Sequence, residues 1–264
     1  MKVCVPAALA LLAVAGCNAS FELGPMPKLV PPDWQDGEVS TYTVSHYDTA
    51  RYQYTIILAF DEQAAPGLGD EPVIPTLVVT SITEPLGDEA FFFDSAVVTC
   101  RRDSLRPLRS ERRIETGIAE FEISTRYDRG KASITKATVD GITEDVLALP
   151  PRTYSTDAIQ TFLRAVPPDP GSSFRLNLCI PMEFRTVPVR VQVLGTKLVT
   201  TPLGDIMCRE LSVMSPGRDV RYWYELAQPH RFVGTYDPQT EIRTLLATYQ
   251  AAAADSLPSS DTLP

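Results

Sequence analysis

The chain has 264 residues, with 24 basic and 33 acidic side chains and a formal net charge of −9. A net charge of that sign disfavours binding to nucleic acid and to anionic lipid surfaces. No apolar stretch after the first sixteen residues approaches the 18 needed for a transmembrane helix.

The amino terminus reads as an export leader. Lys2 supplies a positive start, and Val3 to Ala15 is an apolar run of 13 residues, too short to span a bilayer but suited to a secretory h-region. Val14-Ala15-Gly16-Cys17 resembles the bacterial lipobox. The resemblance implies cleavage before Cys17, with two or three acyl chains, palmitate among them, on that cysteine. Two chains hold a protein stably on a membrane, whereas one does so only marginally. The alternative is an ordinary signal peptide cut near a cysteine; in either case Cys4 leaves with residues 1–16. Asn18, in place of the Asp that marks inner-membrane retention in such lipoproteins, favours the outer membrane, facing the periplasm. Residues 17–36 then form a tether, in which "FELGPMPKLVPPDW" holds four prolines.

Residues 37–249 are 213 in number, enough for one domain burying about 70% of its unfolded-chain surface. Residues 250–264 are short, polar and Pro/Ser-rich, and are expected to be disordered. Within the domain, period-two alternation dominates. "EVSTYTVSHY", "RYQYTIILAF", "PVIPTLVVTSIT", "AFFFDSAVVTC" and "GIAEFEISTRY" are β-branched and aromatic, bounded by Gly, Pro or Asp. "GKASITKATVDG", "FRLNLCIPMEF", "VRVQVLGTKLVTT", "DIMCRELSVM", "VRYWYEL", "HRFVGTYD" and "EIRTLLATY" continue the pattern. These segments predict a mainly β fold, a single curved antiparallel sheet or open β-barrel of about a dozen strands.

Two segments depart from it. Residues 100–113, "CRRDSLRPLRSERR", concentrate arginines in an acidic chain. They suit either a patch for phosphate or carboxylate groups or a solvated strand and turn with Asp103 and Glu111 as partners. "STDAIQTFLRAVPPDPG" has a Ser155-Thr156-Asp157 cap, apolar residues at Ala158, Ile159, Phe162, Leu163 and Val166, and a stop at Pro167-Pro168. That is one amphipathic helix in a β chain. Its apolar stripe, with Ile159, Phe162 and Leu163, either packs onto the sheet as core or plugs a half-barrel and helps enclose an apolar ligand. In "RYWYEL", Tyr222 and Tyr224 share one face and Trp223 takes the other, as core packing or as stacking groups for a ligand.

Cys100, Cys179 and Cys208 remain after the leader and Cys17. A Cys179–Cys208 disulfide, worth about 3.6 kcal/mol by loop closure, is set against three buried free thiols. Catalytic patterns are missing. His46 and His230 lack metal-ligand spacing, no GxSxG elbow occurs, and Glu120/Glu122 share a strand face as solvent-facing carboxylates do. No motif calls for a cofactor or metal, and no catalytic residue is assigned.

The order of segments resembles the domain-of-unknown-function 3108 family of exported bacterial proteins. The resemblance rests on Gly37-Glu38 opening a strand with Tyr42 and Val44, on Asp103-Ser104-Leu105-Arg106-Pro107, and on "LRAVPPDPG" from Leu163 to Gly171. It continues through Thr201-Pro202-Leu203-Gly204-Asp205-Ile206-Met207-Cys208, "YWYELAQPHRFVGTY" and "LLATY". It implies a curved antiparallel sheet and no agreed activity. The architecture is similar, more distantly, to the lipoprotein-carrier class, in which a half-barrel and helix hold acyl chains. The expected function is a non-enzymatic envelope lipoprotein that binds an apolar ligand. Alternatives are a protein-interaction module of the envelope, or a hydrolase with its site assembled around His46 or His230.

Overall fold

The computed structural model describes residues 25–64, 73–87 and 92–251. Cys17, the leader and the residues beyond 251 lie outside the described residues. Among the described residues fifteen strands run in chain order: β1 (Glu38–His46), β2 (Thr49–Ala64), β3 (Val73–Pro85), β4 (Phe92–Arg101), β5 (Pro107–Thr116), β6 (Glu120–Asp128), β7 (Lys131–Thr138) and β8 (Gly141–Ala148). After the short β9 (Thr153–Ser155) and the helical segment come β10 (Ser173–Ile180), β11 (Arg185–Thr201), β12 (Gly204–Ser215), β13 (Arg218–Glu225), β14 (Phe232–Asp237) and β15 (Ile242–Gln250).

They form one open sheet in the order β8-β7-β6-β5-β4-β3-β2-β1-β15-β14-β13-β12-β11-β10-β9. Two meanders therefore meet where the first and last strands pair, Val39 opposite Gln250 and His46 opposite Ile242. All neighbours are antiparallel except β9, which runs parallel to β10 over three residue pairs. The β11–β12 hairpin turns at Pro202-Leu203, with Gly204 at φ 103°; the Thr201 hydroxyl donates to the Gly204 carbonyl and accepts from the Leu203 N–H. Glycine reaches that φ without steric cost, and Pro presets its own.

The helical segment is a 3-10 turn, Thr156–Ala158, running into helix α1, Ile159–Arg164. Ser155 caps it, accepting from the Asp157 N–H at 3.3 Å. Every apolar position of the predicted stripe is buried, Ala158, Ile159, Phe162, Leu163 and Val166 alike. They join inward-facing Tyr42, Ile56, Leu58, Leu77, Val98, Leu176, Val191 and Leu211 in one core on the concave face of the sheet. Trp223 points the other way, as alternation requires, into a small cluster with Val199, Cys208 and Val233.

The proline-rich segment departs from the expected free tether. Its described part, residues 25–36, lies against the domain: Val30 N–H donates to Ala165 O at 2.8 Å and Phe60 N–H to Asp36 Oδ1 at 2.7 Å. Trp34 is 8% exposed within the core, with Met26 and Leu29 packed beside it. Proline's fixed φ lowers the entropy lost when such a strap is ordered, and three large apolar side chains favour covering the end of α1 over waving in water.

Candidate functional site

The helical segment is held at both ends by arginines, half-buried Arg112 at one and buried Arg164 and Arg209 at the other. Arg112, on the concave face of β5 across from Ala96, donates Nε and Nη2 to Asp94 at 2.9 and 2.7 Å and Nη1 to Asp157 at 2.8 Å. Burial opposes the Arg112 charge, but Asp157 and Asp94 outweigh it and hold the guanidinium above its ordinary range. Burial pushes the Asp157 carboxyl up, and Arg112 only partly pulls it back.

At the other end Arg164, 4% exposed, forks onto Glu38, 3% exposed, at 2.7 and 3.2 Å, and its Nε donates to Pro229 O at 2.9 Å. Arg209 donates to the Arg164 carbonyl at 2.9 Å and to the Val166 carbonyl, covering the helix's last acceptors with positive charge. Burial pushes Arg209 down to about 10, and the Tyr224 ring lies 5.3 Å from its guanidinium. Tyr224 in turn donates its hydroxyl to Gln160 O at 2.7 Å, and Tyr42 donates to Phe232 O at 3.2 Å.

These contacts gather segments scattered along the sequence: Glu38 of the first motif, Arg164 to Val166 of "LRAVPP", Arg209 just past Cys208, and Tyr224, Pro229 and Phe232 of the aromatic run. Sequence reading named Tyr224 there but missed the Glu38–Arg164 pair, whose members are separated by 126 positions. The visible signal was a charged residue inside each motif, with nothing in the chain to say which would meet.

The residues expected to bind a ligand do come together, as core. Ile159, Phe162 and Leu163 are at most 5% exposed, and Phe162 packs on Tyr154 with ring centroids 4.1 Å apart. Tyr224 stacks on Phe232 at 5.5 Å, with half-buried Tyr222 beside it at 6.4 Å. The space left at the helix is about 20 Å³, bordered by Glu38, Ser40, Tyr42, Thr161, Arg164 and Phe232. That is room for one water molecule. A second, open concavity of about 510 Å³ lies on the surface between the β11–β12 hairpin and the turn after β13. Leu203, Met207 and Leu226 line it, with the Arg231–Glu225 ion pair at 2.6 Å.

The proposed Cys179–Cys208 disulfide is not formed; Cys100, Cys179 and Cys208 are buried free thiols. The register gives the reason. Cys179 sits opposite Thr186 and Cys208 opposite Lys197 on the strand between them. Eleven residues of strand separate those positions, roughly 35 Å, where a disulfide needs Cα atoms within about 7 Å. Burial raises the thiols from 9.0 to about 12 for Cys100, about 11 for Cys179 and about 12 for Cys208. Such thiols stay protonated and unreactive near neutrality. In a domain lacking Cys17, a thiol reagent at pH 8 should label none of the three in the native state and all of them in urea; rapid native labelling would refute the burial. Folded pKa values above the unfolded ones also mean that stability falls as pH rises beyond about 9. Each thiol removes about 1.4 kcal/mol per pH unit until its folded pKa is reached. Urea melts at pH 8 and 10 should show this, with a shallower decline in the Cys→Ala triple variant.

His46 is exposed on β1 with its ring 4.4 Å from Tyr47, and His230 Nδ1 lies 3.1 Å from Glu225 O. His46 pairs with Ile242 at one end of β15, whereas Arg231, next to His230, covers Tyr249 near the other end, about 23 Å away. Folding does not bring the two imidazoles together. Among the described residues no group of three or more His, Cys, Asp or Glu is placed to hold a metal. The arginines of residues 100–113 divide by strand face. Arg101 pairs with Asp103, Arg102 lies 3.6 Å over Phe60, Arg113 meets Glu115 and Glu120, and Arg112 alone turns inward to brace the helix.

Compared with known proteins, residues 76–234 match the sequence profile of DUF3108, described as a protein of unknown function. No curated protein matches the chain. Among solved structures, a beta-barrel-like protein of domain of unknown function DUF1849 from Brucella abortus is similar in fold. The TM-score is 0.51 and the sequence identity 12%, over 82% of this chain and 98% of that one.

Proposed function

Since the chain belongs to the DUF3108 family, whose description assigns no activity, we propose from the site itself a lipid-anchored, non-enzymatic envelope protein that binds a partner protein through its surface. The space of about 20 Å³ at the helix carries this reading, because a carrier of an apolar ligand needs a pocket of at least about 300 Å³. That space is also bordered by a buried ion pair, which is the wrong lining for an acyl chain. The open concavity with Leu203, Met207 and Leu226 supports the surface reading. Val14-Ala15-Gly16-Cys17 supports the anchor, at the outer membrane facing the periplasm.

Two measurements test it. Native mass spectrometry of the domain without Cys17, purified from its own host, should show the bare polypeptide mass. A stoichiometric lipid-like adduct would replace the surface reading with the carrier one. Metabolic labelling with a palmitate analogue should mark the full chain and not the Cys17→Ser variant; equal labelling of both would remove the anchor.

A further inference from the structure

We propose that β8 is a docking edge for an extended, dibasic strand of a partner protein. The inference deepens the surface-binding reading and rests on it. The sheet has two edges, and they are built differently. β9 is three residues long, half-buried to buried, and shielded by the helical segment that follows it. β8 is eight residues, about 26 Å of strand, with every residue but Leu147 exposed and, among the described residues, no strand paired on its outer side. A row of backbone donors and acceptors thus faces outward, where another strand can pair with it; the Val146 N–H is held meanwhile by Asp145 Oδ1 at 2.7 Å, a bond that an incoming strand would replace.

Its side chains say what that strand must carry. On the convex face β8 presents Ile142, Glu144 and Val146, with the two apolar residues 71% and 59% exposed. The neighbouring turn tips add Ile118 and Val139, at 88% and 80%. Glu144 and Asp145 stand opposite Thr135 and Ile134 of β7, neither of them cationic, and the diagonal Lys136 is placed over the Phe121 ring at 5.1 Å. A second copy of the chain is a poor occupant. Antiparallel pairing of two identical edges opposes residues of one face only, so its central registers set Glu144 against Glu144 or Asp145 against Asp145. Directly opposed like charges destabilise a pair of strands. An antiparallel partner that satisfies the row reads, from its N-terminus, apolar, basic, basic, Thr or Ser, apolar. Those residues fall opposite Val146, Asp145, Glu144, Thr143 and Ile142.

The test uses the folded domain and a fluorescein-labelled peptide, TVKKTVT, with TVEETVT as its counterpart. Anisotropy titration should show saturable binding of the lysine peptide, at least tenfold tighter than the glutamate peptide. The Glu144→Lys/Asp145→Lys variant, altered only at exposed side chains and leaving the thermal midpoint in place, should reverse that preference. Val146→Pro, which removes a backbone donor, should weaken both. Equal affinity for the two peptides, an unchanged preference in the charge-reversed variant, or no binding up to about 1 mM overturns the proposal. A lipid adduct in native mass spectrometry would instead strike the surface-binding reading, so the two failures are told apart.

Discussion

Glu38→Ala should destabilise the domain by about 3–5 kcal/mol, because it leaves the Arg164 guanidinium buried without its counter-charge. Arg164 is 4% exposed, its Nε is already committed to the Pro229 carbonyl, and the space beside it holds no more than about one water molecule. For a domain of this size the loss corresponds to a drop of about 10 °C in Tm. The double replacement Glu38→Leu/Arg164→Met should recover most of it, since removing both charges also removes their desolvation cost. Thermal melts of the singles and the double form a closed cycle. A single variant within about 1 kcal/mol of the parent would show that solvent reaches the pair.

Gly234→Ala should cost about 3 kcal/mol or more and disrupt the β14–β15 pairing locally. A Cβ built there would lie 2.1 Å from the backbone oxygen of Thr244 and 3.3 Å from Leu245 Cα. Neither atom belongs to a side chain that can rotate away, so one strand must move. Gly234 stands opposite Leu245, one residue from where β13 shifts register, and β15 carries the seam between the two meanders. Urea unfolding should give a lower midpoint, and hydrogen exchange should quicken in β14 and β15. Parental exchange in both strands would show that the ladder absorbs a methyl group freely.

Much of this architecture was legible because burial and period coincide. β3 and β10 carry apolar residues on the face that packs, Leu77 and Val79 in the first and Phe174, Leu176, Leu178 and Ile180 in the second, and the capped stripe from Ser155 to Val166 fell where the helical segment forms. β5 was harder: its inward side is Ser110, Arg112 and Ile114, so one arginine occupies a core position where an apolar residue would have marked the strand. β8 shows no apolar alternation because its convex face mixes Ile142 and Val146 with Glu144 and only Leu147 is half-buried inside. β9 is three residues long, below what any periodicity reveals. The strap at residues 25–36 resembled a free linker because prolines suit both states, and only the fold shows Trp34 inserted in the core.

The site was legible in parts. The helix stripe with Phe162 and Leu163 and the strand face with Tyr224 were read separately, and the fold puts all three in one core. Their being core, without a pocket, depends on how closely the helix seats on the sheet. The pairing of Glu38 with Arg164 depends on a meeting of distant segments that no local pattern encodes. Cysteine count permitted a disulfide, whereas strand register forbids it.

The seam between β1 and β15 also governs the order in which the protein can be completed. A chain emerging amino-terminus first can zip β1 to β8 as successive hairpins, yet β1 keeps one open flank until Gln250 arrives to meet Val39. The final strand is therefore a keystone: every intermediate shorter than the full domain exposes an unsatisfied central ladder, open to proteases and to neighbouring chains. Nonsense truncations before residue 242 should consequently accumulate as aggregates or be degraded, however small the piece removed.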